Sequence, residues 1–113
     1  MKLVTKKIEE AILKVPYAST ENVEVLDKKV IAKFFCPCGA GTWYILEDSM
    51  YEQHKIVFGL SDLGHGMELG DFSIAELESI KLPFGLTIER DICVEPNQRT
   101  VKEQMEIDHL HLM

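Results

Sequence analysis

Thr42 to Glu47 reads TWYILE, a run in which Trp43 and Ile45 fall on one side of an extended chain and Thr42, Tyr44 and Leu46 on the other. Both sides are apolar enough for the centre of a sheet, so the neighbouring segments have to supply strands for it. Upstream, Lys29 to Phe35 (KVIAKFF) is rich in β-branched and aromatic residues, and Cys36-Pro37-Cys38-Gly39-Ala40-Gly41 between the two runs favours a turn. The pair predicts a hairpin. Downstream, a polar stretch is followed by His54 to Asp62 (HKIVFGLSD), a third strand, and Gly64-His65-Gly66 turns the chain into a fourth, Met67 to Phe72. Short connections of this sort join antiparallel neighbours, which gives a meander.

Helices are expected on either side of that block. Ile8, Ala11, Ile12 and Val15 recur at helical spacing within and just beyond Thr5 to Lys14, with Thr5 as cap and Pro16 as stop. Ser73-Ile74-Ala75-Glu76 is a capping box with Phe72 and Leu77 placed as a hydrophobic staple, predicting a helix over Ile74 to Ile80 that Leu82-Pro83-Phe84-Gly85 breaks. Thr87 to Val94 suits a short strand or an extended edge segment. Thr100-Val101-Lys102-Glu103 repeats the capping-box pattern and opens a candidate C-terminal helix whose apolar positions are irregular. Tyr17 to Asp27 has no period and reads as a connection ordered by packing alone. With 113 residues the whole chain, 1–113, makes one domain of α+β class: an antiparallel sheet of about four strands with two or three flanking helices.

Charge narrows the function classes. Twelve basic residues face nineteen acids, a net −7 that has the wrong sign for direct binding to phosphate backbones. The balance is also uneven: residues 1–35 are net +2, whereas the remainder is −9, with Lys55 alone opposing eight acids between Glu47 and Glu78. An acidic face is expected there, suited to a basic protein partner, one that handles nucleic acid included, or else serving as a solvated surface. No apolar run reaches the ~18 residues of a membrane span and no secretory h-region is present, so neither a membrane nor secretion is expected. Three cysteines do not make a disulfide framework, which agrees with a cytoplasmic location.

Several short motifs, in order, resemble a bacterial domain family of unknown function carried widely on conjugative plasmids and integrated mobile elements. They are Lys33-Phe34-Phe35 before a proline-containing turn, Thr42-Trp43-Tyr44 with Glu47, Phe58-Gly59, Glu68-Leu69-Gly70, Phe72-Ser73 with Glu76-Leu77-Glu78, then Pro83, Gly85 and Ile88-Glu89-Arg90-Asp91. The resemblance covers most of the chain and implies a small bacterial protein of mobile or accessory genes. It carries no activity, substrate or cofactor with it. Cys36, Cys38 and the histidine-containing tail after Arg99 depart from the family pattern.

Three constellations are candidates for chemistry. In an extended segment Glu89 and Asp91 share a face and Arg90 opposes them, an arrangement able to hold a ligand or perform acid/base work with a neighbouring acid such as Glu47; the structural alternative pairs Arg90 with Glu47 or Glu68 and leaves Asp91 to cap a turn. Cys36 and Cys38, with His54, His65, Cys93, His109 or His111, offer zinc ligand types, but one C-x-C without a second pair is the wrong spacing for a structural zinc site. A nucleophilic Cys36 or Cys38 would need His54 or His65 as base. Glycine-rich phosphate loops, nucleophile elbows and zincin helices are absent from the sequence. No cofactor is expected, and the leading expectation is a non-enzymatic protein-binding adaptor or modulator. Its candidate contact residues are Tyr44, Tyr51, Glu68, Asp71, Glu76 and Glu78.

Overall fold

The computed structural model describes residues 2–51 and 55–111, with side chains as far as Asp108. The apolar face of the first periodic segment forms helix α1, Lys6–Leu13, with Ile8, Ala11 and Ile12 buried; Thr5 caps it by accepting from the Ile8 N–H at 3.2 Å. Strands β1 (Ala32–Phe35), β2 (Thr42–Asp48), β3 (Ile56–Asp62) and β4 (Met67–Ser73) then follow as an antiparallel meander. Helix α2, Ile74–Ser79, starts on the Ser73 cap, whose hydroxyl accepts from the Glu76 N–H. A two-residue strand, β5 (Glu89–Arg90), pairs with Phe35 and Phe34 on the outer side of β1, and helix α3 runs over Val101–His111. The sheet order is β4-β3-β2-β1-β5, five strands where the sequence patterning gave about four. Its fifth member is the edge segment expected around Thr87 to Val94.

β2 lies at the centre, and its alternation sorts the core into two halves. Trp43 and Ile45 join Leu3, α1, Ala32, Phe34, Val57, Ile88 and the Ile74 and Leu77 side chains of α2. Tyr44 and Leu46 face the other way, with Val30, Leu60, Val94 and Val101 of α3. The sheet is therefore covered by α1 and α2 on one side and by α3 on the other. β1 begins at Ala32 rather than Lys29, because Val30 donates to the Arg99 carbonyl and Lys29 bridges to Thr100, so this stretch tethers the C-terminal segment.

The second capping box is the fully reciprocal one: the Thr100 hydroxyl accepts from the Glu103 N–H at 3.1 Å while the Glu103 carboxylate accepts from the Thr100 N–H at 3.0 Å. Those bonds hold the Glu103 carboxyl below its ordinary value. The inward positions of α3 are Val101, Gln104, Met105 and Asp108, a regular helical stripe that is half polar. Between α2 and β5 the break at Pro83–Gly85 is a tight turn with Phe84 at φ 63 and Gly85 at φ 74. This places the Phe84 ring 98% exposed.

Gly59 sits opposite Ile45, immediately before the pairing of β2 and β3 shifts register. A Cβ at this position would stand 1.8 Å from the Tyr44 carbonyl oxygen, and that atom belongs to backbone that cannot step aside. Gly59→Ala should therefore cost on the order of 3 kcal/mol through overpacking. Gly70→Ala is the control: a Cβ there meets nothing within 4 Å, so its effect should stay within about 0.5 kcal/mol. Thermal and urea denaturation of both variants checks the contrast, and equal stabilities would contradict the close approach of β2 and β3.

Candidate functional site

The acid/base constellation does not assemble. Arg90 donates from one guanidinium nitrogen to the Lys2 and Leu3 carbonyls, each at 3.0 Å, and pairs with neither Glu47 nor Glu68. Leu3 is fully buried, and its N–H donates to Glu78 at 2.8 Å. Arg90 and Glu78 thus pin the segment before α1 to the sheet and to α2. Asp91 caps a turn by accepting from the Cys93 N–H at 2.9 Å and lies 3.5 Å from the Lys33 ammonium. Glu47 contributes to a different cluster altogether.

The β2–β3 register shift between Ile45 and Glu47 sends Leu46 and Glu47 to the same side of the sheet. Glu47 is consequently 2% exposed. A carboxylate in that position needs partners. It accepts from the Ala18 N–H at 2.9 Å, from the Thr20 N–H at 3.2 Å and from the Thr20 hydroxyl, and the buried Lys28 ammonium is 3.4 Å away. Lys28 also donates to the Thr20 carbonyl and hydroxyl. The connection after α1, which lacks any sequence period, is ordered by this ion pair and by the left-handed Ala18 (φ 62) that brings its N–H to Glu47.

A second polar cluster joins α3 to the sheet. Asp108 accepts from Lys33 at 2.8 Å, from Gln104 at 2.9 Å and from the Tyr44 hydroxyl, while Lys33 lies over the Phe35 ring. Tyr44 is 3% exposed. It is a structural residue, and this corrects the expectation that it offers a contact surface. Burial, then the hydrogen bond and charge of Asp108, push its phenol well above the ordinary value. Sequence reasoning missed Lys28, Lys33, Gln104 and Asp108. The Val101, Gln104, Met105, Asp108 spacing was the available signal for the last two.

The remaining candidates lie on the outside. Glu68, Asp71 and Glu76 are exposed, and no basic side chain lies within salt-bridge distance of them among the described residues. Tyr51 is exposed, and its backbone meets the Ser49 hydroxyl. Cys36 and Cys38 lie in the β1–β2 turn with sulfurs 3.9 Å apart, and Cys93 is a free, exposed thiol. Desolvation, then the hydrogen bond and charge of Cys36, raises the Cys38 thiol pKa, away from the thiolate a nucleophile requires. Among the described residues no three His, Cys, Asp or Glu side chains gather as a metal site. His65 is exposed in the Gly64–Gly66 turn; His54 and the side chains of His109 and His111 lie outside the described residues. No described helix is long and apolar enough to cross a membrane.

Above the buried ion pair is a groove of about 420 Å³. Its floor takes Glu47, Phe58 and Leu69 from β2, β3 and β4 in turn, and the connection after α1 walls it with Tyr17 and Val23. Exposed Glu21 and Glu24 line it as well, whereas the one ammonium that lines it among the described residues, Lys28, is already engaged by Glu47. Phe58 and Leu69 give the groove an apolar patch beside the Glu47–Lys28 pair, and carboxylates line its rim. Such a surface suits a side chain with an apolar stem and a cationic tip.

Two substitutions check the polar clusters. Glu47→Gln strands the Lys28 charge in the interior and should destabilise the protein by about 3 to 5 kcal/mol, with limited proteolysis shifting to residues 17–24. Tyr44→Phe should cost about 1 to 3 kcal/mol at neutral pH through the unsatisfied Asp108 oxygen. Because the folded phenol ionises at higher pH than an unfolded one, the bond stabilises the native state fully below about pH 10 and progressively less above it. The stability difference between Tyr44→Phe and the parent protein should therefore narrow above about pH 10 in urea titrations. A difference that stays constant to pH 11 would contradict the placement of Tyr44 on Asp108.

No curated protein and no solved structure is detectably similar to this chain. A family model does match, over residues 3–108, which take in all five strands, α1, α2 and most of α3. The chain belongs to the family described as Protein of unknown function (DUF2958).

Proposed function

We propose that this domain is a non-enzymatic protein-binding module, an adaptor or modulator of mobile-element origin, whose acidic surface receives a basic partner such as a nucleic-acid-handling protein. The observation that carries this reading is how the carboxylates divide. Glu47, Glu78, Asp91 and Asp108 are consumed by buried or half-buried structural bonds, so that of the acid/base candidates Glu47, Arg90 and Asp91 are occupied in holding the fold. Glu68, Asp71 and Glu76, on β4 and the start of α2, are exposed and lack basic neighbours among the described residues. A partner rich in lysine or arginine supplies the counter-charges that these exposed carboxylates lack.

The test is affinity capture from a bacterial lysate at low and high salt, run in parallel with the Glu68→Gln/Asp71→Asn/Glu76→Gln variant. The expected result is a basic protein retained by the parent domain at low salt, released as ionic strength rises through the range where the Debye length falls below about 8 Å, and lost from the variant. Retention that is indifferent to both salt and the triple substitution would exclude the acidic surface as the binding face.

A further inference from the structure

The two ends of the sheet are finished differently. On the β1 side, β5 pairs with Phe34 and Phe35, and Asp91 continues by donating its N–H to the Lys33 carbonyl at 2.9 Å. On the other side β4 is the last strand, seven residues long and paired to β3 in unbroken register from Met67↔Asp62 to Ser73↔Ile56. Ile74 donates its N–H to the Lys55 carbonyl, which fixes the alternation of the ladder. Phe72, Gly70 and Glu68 spend their peptide groups on β3, and Met67, Leu69 and Asp71 present theirs outward. No described backbone or side-chain group bonds to those outward positions. The open space at Gly70 shows that the strand is uncovered on that face also. Side chains at the edge are mixed: Met67 and Leu69 are exposed apolar groups, and Glu68 and Asp71 are exposed carboxylates.

We infer that β4 takes up an extended segment of another protein by strand addition, and that this segment carries a lysine or arginine opposite Leu69. The inference rests on the protein-binding reading above and specifies its geometry. Three features converge on that occupant. The outward N–H and C=O groups of Met67, Leu69 and Asp71 are a template for an antiparallel strand. The groove floor crosses β2, β3 and β4 and ends at Leu69, so the partner residue paired with Leu69 projects its side chain to the same face, toward the groove. Its stem packs on Leu69 and Phe58 while its cation meets Glu21 and Glu24, and Glu68 and Asp71 favour further basic residues along the strand. A second copy of this chain fits badly, because β4 itself, MELGDFS, carries two carboxylates and no lysine or arginine to set opposite Leu69.

The experiment uses a fluorescein-labelled peptide of about nine residues, alternating valine and lysine, and its fully N-methylated form, which keeps charge but has no backbone donors. Binding to the full chain is followed by fluorescence anisotropy at low salt, with amide hydrogen exchange read at Met67, Leu69 and Asp71. We expect saturable binding of the first peptide, at least about tenfold weaker binding of the N-methylated one, and slowed exchange at those three amides. Leu69→Pro removes an outward N–H without touching the β3 ladder and should weaken binding as strongly, whereas Leu69→Ala should weaken it only a few-fold. Glu21→Gln/Glu24→Gln should also reduce affinity. If Leu69→Pro fails to fold, the N-methylated peptide carries the test by itself. Equal binding of the two peptides, weakened by Glu68→Gln/Asp71→Asn, would overturn strand addition while leaving the acidic-surface reading in place. Absence of saturable binding to either peptide would also overturn it, with the lysate capture judging the broader reading separately. A dimer of the free chain that Leu69→Pro dissolves would overturn the choice of occupant in favour of self-pairing.

Discussion

A strand buried on both faces needs cover on both sides and a hydrogen-bonded neighbour along each edge, and β2 imposes all four requirements on a chain of modest length. β1 and β3 supply the neighbours through short turns. Cover on the Trp43 and Ile45 side comes from two amphipathic helices, which is the economical solution because each presents one apolar stripe. The Tyr44 and Leu46 side receives a single helix and a long irregular connection. That difference governs where polar groups enter the interior.

On the helix-rich side the core is apolar throughout. On the other side, the irregular connection and the polar stripe of α3 bring polar groups with them, and the sheet answers the first with Glu47 of β2 and the second with Lys33 of β1. Glu47 collects two peptide N–H groups, a hydroxyl and an ammonium from the connection; Asp108 collects a phenol, an amide and an ammonium on behalf of α3. Buried pairs of this kind contribute less net stability than apolar packing would, but they are demanding about geometry. They specify one conformation for a segment that has no hydrophobic period of its own.

The edges carry the functional contrast. Natural sheets blunt an exposed edge by shortening it, charging it or covering it, and this protein treats its two edges unequally. β5 is two residues long and is flanked by the Arg90 clasp on the N-terminal segment, so that edge is closed by the chain itself. β4 keeps its full length and is charged rather than covered. Charge at an edge discourages association with a copy bearing the same sign and leaves pairing with the opposite sign available. The groove behind Leu69 adds an apolar anchor to that selectivity.

Much of the architecture follows from local rules that the sequence states directly. The alternation of TWYILE determined which residues of β2 face which half of the core, the glycine and proline turns determined the meander, and the Thr5 and Ser73 caps determined where α1 and α2 begin. These features depend on residues near one another in the chain, so patterning suffices. The charge balance likewise set the sign of a partner without locating it. What tertiary structure alone decided involves residues far apart in sequence. The inward stripe of α3 looks irregular until Gln104 and Asp108 are seen to bond Arg99, Lys33 and Tyr44. Glu47 reads as a free acid until the register shift turns it inward onto Lys28. Arg90 reads as an anion-binding residue until it is found holding two carbonyls 87 and 88 positions away. A hydrophobic period records only that a side chain leaves water; which polar group it meets there is settled by packing between elements, which no local pattern encodes.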